Sequence, residues 1–227
     1  MAHGAWRGNV SGTSLPSLPQ PSCTTDVAHR ATIPSFIADP GIAVALLARQ
    51  KAQLRVGASS ALARCAAGDR IVVRESSLAA RHEAGQDLVT TPARAEFAIF
   101  HDGWRQYRHG GGAPGRRPGS SDYTWIAAGH MPAWAVRLTL IVEAVRREHL
   151  QQITRADVRA EGAIPVLGGL LWRWPRPIPG TYLTPRRAFA HYWDVNHPMR
   201  GERWEDDPPV VVLTIRVTGP SQPAAAQ

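Results

Sequence analysis

Lys51, Gln53 and Arg55 alternate within one short stretch, and a strand there turns all three side chains to the same side. A row of amine, amide and guanidinium is rich in hydrogen-bond donors and suited to lining a cleft; on an edge strand it would simply face water. Lys51 carries the more specific signal, because of 26 basic residues it is the single lysine. A compact ammonium can be tuned by burial, whereas a guanidinium keeps its charge. Arg74 and Glu75 sit in a second strand-like stretch, where alternation puts them on opposite faces, so one of them can face a cleft. A cross-strand ion pair is the competing account for either. Trp172 and Trp174, beside Arg173 and Arg176, have the character of base-stacking residues. Clustered tryptophans more often cover a core, and that reading is preferred.

Several chemistries are set aside by their missing motifs. The chain has no G-x-x-x-x-G-K-[ST] phosphate loop and no G-x-S-x-G nucleophile turn. Its nine histidines never reach H-E-x-x-H spacing, and His130, His191 and His197 read as surface or core-edge residues. No metal and no cofactor is expected. Cys23 and Cys65 make neither a disulfide framework nor a metal-ligand spacing, so both are expected as free thiols in a reducing compartment, by default the cytoplasm. No run of 18 apolar residues occurs, so no membrane span is expected. The N-terminus shows no apolar core with a cleavage site, so no secretory signal is expected either. The formal net charge of +8 favours polyanions such as RNA, DNA or nucleotide phosphates. The abundance of Ala, Arg, Gly and Pro offers a compositional explanation for the same charge.

The elements that must position these residues follow from local patterns. At 227 residues the chain fits one domain with tails. Residues 1–30, rich in Gly, Ser, Pro and Thr, read as a disordered tail, as do residues 219–227. After a weak strand at 32–37, Asp39 caps a helix with Pro40 at its first position, ending near Arg49. Lys51–Val56 is extended, Gly68-Asp69 is a turn, and Ile71–Val73 is a strand centre. Residues 77–122 read as a loose insertion with one strand at Glu96–Phe100, a turn at His101-Asp102-Gly103 and a flexible loop over 109–121. A long strand is expected over Ala135–Val145. Thr154, with Asp157 three residues on, then caps a short helix that stops at Gly162. Residues 165–184 read as irregular. Thr184 caps a last helix, stopped by Pro198, with Ala188, Phe189, Tyr192 and Trp193 as its buried stripe, and Val210–Val217 is a strong final strand. The sum is an α+β domain on a small, mostly antiparallel sheet or barrel with two or three short helices.

The phrases HMPAWAVRLTL and LQQITRADVRAEG resemble the wording of ASCH-type domains common in prophage and phage genomes, near "HMPRWASRITL" and "LQDISEEDARAEG". GDRIVVRES resembles that family's "GDRLWVRET", and AVALLARQKAQLRV resembles "VRALLAGRKTQTRR". AFAHYWDVNH with WEDDPPVVVLTIRV resembles its closing helix and strand, so the likeness covers residues 31–218. The resemblance implies a PUA-like β-barrel with a cleft beside it, taking up RNA or a nucleotide, with Lys51, Gln53, Arg55, Arg74 and Glu75 as cleft residues and Trp134 as a stacking candidate. For relatives that deacylate modified cytidine it implies a Lys, matched by Lys51, a Glu, matched by Glu161, and a threonine. That threonine is replaced by Leu54, and Ala52 replaces its neighbour; leucine offers no hydroxyl, so threonine-assisted hydrolysis does not carry over. Val72 also replaces the family's tryptophan. The expectation is therefore an RNA- or nucleotide-binding module. The alternative is a hydrolase of an N4-acylcytidine-type amide, or of RNA, using a Lys51–Glu161 pair. A surface for protein contacts is the third reading.

Overall fold

The computed structural model of the protein describes residues 33–119, 123–175 and 177–219. The expected tails at 1–30 and 219–227, apart from Gly219, lie outside them, as do Cys23 and Arg176. In chain order the elements are β1 (Ser35–Ala38), α1 (Pro40–Leu47), β2 (Gln53–Gly57), β3 (Arg70–Glu75), β4 (Ser77–Glu83), β5 (Gln86–Val89), β6 (Phe97–Phe100), β7 (Arg105–Tyr107) and β8 (Gly112–Ala113). After them come β9 (Thr139–His149), α2 (Arg155–Ala160), β10 (Ile164–Val166), β11 (Leu171–Arg173), α3 (Pro185–Asn196) and β12 (Pro209–Thr218). The fold is α+β, with mostly antiparallel strands and three α-helices among the described residues.

The main sheet has the order β1-β3-β9-β12-β2, and only the short β1–β3 pair is parallel. It curls as a half-barrel with β1 and β2 as its edge strands. Its edge strands β1 and β2 are joined in the chain by α1, whose Ile42, Ala43, Leu46 and Leu47 belong to the same core as the sheet. β12 is an interior strand between β9 and β2 and is covered on both faces, which is why Val210–Leu213 reads as an unbroken apolar run. Its register against β9 slips between Thr214 and Ile215, and such a bulge strengthens local bending. β9 itself is shifted from the expected Ala135–Val145. Pro132 precedes a short 3-10 turn at Ala133–Ala135, while the polar end Arg146–His149 stays extended by pairing with Pro209–Val212.

Residues 77–113 are not a loose insertion. They form a second five-stranded antiparallel sheet, order β5-β4-β6-β7-β8. Leu78, Ala80, Phe97 and Ile99 pack on one side with Trp125; Ala98, Phe100, Met131 and Ala135 pack on the other with Trp104 and Trp134. The glycine-rich loop expected over 109–121 contributes β8 to this sheet. A Cβ at Gly112 would lie 2.6 Å from the Arg105 carbonyl oxygen and from the Trp104 ring, so only glycine fits the turn back.

The stretch expected as irregular over 165–184 opens on a β10–β11 hairpin. Trp172 and Trp174 are buried in the core, with Trp174 stacked on Tyr192 and edge-on to Phe189 of α3. The helix caps follow the sequence: Asp39 accepts from the Ile42 N–H, Thr184 from Arg187, and Thr154 with Asp157 forms a reciprocal capping box on α2.

Candidate functional site

Strand β2 positions the polar row. Leu54 points into the core at 2% exposure, so alternation sends Gln53 and Arg55 to the opposite face. That face is covered by β9 and α2. Gln53 Nε2 donates to Asp157 Oδ1 at 3.0 Å, and Arg55 pairs with Glu148. Lys51 lies just before the strand and is buried. Its Nζ donates to both the backbone oxygen and Oε2 of Glu161, each at 2.8 Å. Arg55 Nη1 lies 3.9 Å from the second Glu161 oxygen, and Arg146 closes the network onto Glu148 and Asp157. Three donors thus face three acids, and the row braces β2 against α2 and β9 instead of lining an open basic surface.

The surroundings of these groups shift their pKa values in definite directions. Burial raises the Asp157 carboxyl, but hydrogen bonds from Thr154, Gln53 and Arg146 outweigh it and hold the group far below the usual carboxylate range. Burial likewise works against bonds from Arg146 and Arg55 at Glu148, and the bonds prevail. Tyr192 is pushed above the usual phenol range by burial, with Glu161 and Asp39 adding to it. Asp39 is raised by burial despite its capping bonds and the nearby Lys51.

A second buried network ties the two sheets together. Arg137 donates from Nε and Nη2 to the two Glu75 oxygens at 2.9 and 2.6 Å, and from Nη1 to Asp102 Oδ2 at 2.7 Å. Its guanidinium also lies 4.0 Å from the centre of the Phe100 ring. Arg74, on the other face of β3, donates to the Gly129 carbonyl at 2.8 Å and pins the segment before β9. Trp134 is half-buried beneath the Arg108 guanidinium, 4.9 Å from its ring centre, and packs on the second sheet.

The open space lies beside these networks. A cleft of about 1010 Å³ runs between the first turns of α1, the turn after β6, the loop after β8 and the proline-rich segment after β11. Arg117 and Arg173 are exposed at its rim, and Trp174, Ile178 and Pro177 give it an apolar wall. A recess of about 10 Å³ shares Pro40, Val44, His101 and Asp102 with the cleft and reaches Glu75, Ser76 and Arg137. A hollow of about 400 Å³ shares Gln50 and Ile164 with the cleft and includes Gly162. Neither Lys51 nor Glu161 lines the cleft or this hollow. Of the residues expected at the cleft, Glu75 borders the recess; Lys51, Gln53 and Arg55 stand covered behind their acid partners.

Comparison of the chain with protein-family models, curated proteins and solved structures finds no match.

Reading the sequence alone overlooks Arg137, Glu148 and the roles of His101 and Asp102. Arg137 leaves a signal, since it stands where the family phrase "HMPRWASRITL" also has arginine. Lys51 with Glu161, and Glu75 with Arg137, each join two separate phrases of the resemblance through one buried pair. The arginines of the 109–121 loop could be read from sequence as phosphate contacts, with a solvated loop preferred, and Arg117 lines the cleft. Among the described residues no group of three His, Cys, Asp or Glu side chains could hold a metal, and no helix is long and apolar enough to cross a membrane. Cys65 is a buried free thiol, its pKa raised by burial and then by Asp69.

Proposed function

We propose that this chain is an ASCH-type, PUA-like domain, of prophage kind and cytoplasmic setting, that binds RNA or a nucleotide in the 1010 Å³ cleft. The observation that supports this reading is the pairing of surfaces in that cleft: cations at the rim and an apolar, tryptophan-containing wall. Single strands are held by that combination, with phosphates at arginines and bases against flat apolar groups. The net charge of +8 adds attraction at a distance. The test is titration of a labelled single-stranded RNA at rising salt, with wild type and an Arg117→Ala/Arg173→Ala variant. Removing two phosphate contacts should make the salt slope shallower by about 1.4. Binding unchanged in the double variant would sink this placement of the ligand.

One observation favours a hydrolase as the second reading: the buried Lys51–Glu161 pair at 2.8 Å. Against it, the ammonium is 1% exposed with two of its three donors spent on Glu161, and Leu54, in place of the threonine, faces the core. Incubation with N4-acetylcytidine decides between them. Release of cytidine by wild type and not by Lys51→Met would establish the enzyme.

A further inference from the structure

His101 forms part of the cleft wall, next to Asp102 of the Arg137 network. Its ring lies 3.5 Å from the ring of Trp125 at an interplanar angle of 6°, and its Nε2 is 3.0 Å from Ser76 Oγ. Trp125 in turn packs on Leu78, Ala80, Phe97 and Ile99 of the second sheet. One face of the imidazole is thus backed by a core-anchored indole, and one edge is held by a hydroxyl. The residue is nevertheless exposed and borders both the cleft and its inner recess. A ring fixed at two points before a ligand arrives loses little further freedom when something stacks on it. Burial, only partly offset by Asp102, keeps its pKa below the usual histidine value, so near pH 7 it is a neutral aromatic plate instead of a phosphate-seeking cation.

We infer that His101, backed by Trp125, is the stacking platform for a nucleobase entering the cleft, an assignment that rests on the nucleotide-binding reading above. Arg117 and Arg173 line the same cleft and supply the phosphate contacts, so one bound nucleotide unit would be held by a flat ring and by cations. Trp134, the stacking candidate from sequence, has its ring under Arg108 instead.

The test compares wild type, His101→Ala and His101→Phe for binding of labelled hexa-adenylate RNA and of an abasic ribose-phosphate chain of equal length. Thermal melting confirms that each variant is folded. His101→Ala should weaken the hexa-adenylate about ten-fold and leave the abasic chain unchanged, and His101→Phe should restore most of the loss, since stacking needs a ring and not a nitrogen. If wild type binds hexa-adenylate and His101→Ala binds it equally well, or loses both chains alike, the platform is refuted while the cleft reading stands. If wild type binds neither chain, the cleft reading falls, and this inference with it.

Discussion

Lys51 shows what one residue choice does inside this fold. A single ammonium serves two acceptors of Glu161, the carbonyl and one carboxylate oxygen, each at 2.8 Å. A guanidinium is a wider planar fork and suits a two-oxygen acceptor, as Arg137 on Glu75 illustrates. Removing one partner of a buried pair leaves the other charge uncompensated. Lys51→Met should therefore destabilise the protein by about 3–5 kcal/mol in urea unfolding, and Lys51→Met/Glu161→Leu should recover most of that loss. A double variant as unstable as the single one would contradict this account. Arg137→Leu should likewise lose about 3–5 kcal/mol, because Glu75 and Asp102 would both face an apolar side chain. Arg137→Lys should recover only part of it, since an ammonium cannot span both carboxylates as the guanidinium does.

Helix α2 is the element on which the polar row depends. Six residues are too few for a helix to stand alone, so it leans on its caps and on Val158, which is buried in the core. Its capping box also orients Asp157 toward Gln53 and Arg146, so the cap and the brace are one structure. Thr154→Ala should lower stability by about 1 kcal/mol in the same assay. At the other end Gly162 has φ +108, a backbone region that side chains avoid, and a Cβ there would meet Lys51 at 3.7 Å. Gly162→Ala should lower stability by about 1–2 kcal/mol. If Thr154→Ala left the melting temperature unchanged, α2 would be held by packing alone.

At the scale of the whole molecule, the carboxylates of Asp157 and Glu148 link the fold to pH. Their folded pKa values lie below those of the unfolded chain, so on acidification the unfolded chain takes up protons first. Their contribution is fully present above the ordinary carboxylate range and fades as pH falls through it toward the folded values. Stability should decline steadily below about pH 5. Asp39, with its raised pKa, has the opposite sign and softens the decline. An Asp157→Asn/Glu148→Gln variant should be less stable at pH 7 and show a flatter profile between about pH 5 and pH 2 in denaturant titrations. A profile as steep as wild type would place the acid sensitivity elsewhere.

Local rules were sufficient wherever one side chain acts on its own backbone. Asp39, Thr154 and Thr184 cap helices where the sequence predicts them, because a cap reaches only two or three residues along the chain. The Gln53–Arg55 part of the polar row was legible for a related reason: strand alternation puts both on one side whatever they meet there, while Lys51 precedes the strand. What they meet is decided by tertiary structure. Glu161, Asp157 and Glu148 lie about a hundred residues away in sequence and are brought opposite the row only when β2 pairs with β12 and β12 with β9. The second sheet was hidden because its strands are two to seven residues long, glycine-interrupted, and stable only through each other. The cleft was hidden for the same reason, since its walls come from five separate stretches of chain and a concave surface exists only once they are packed together.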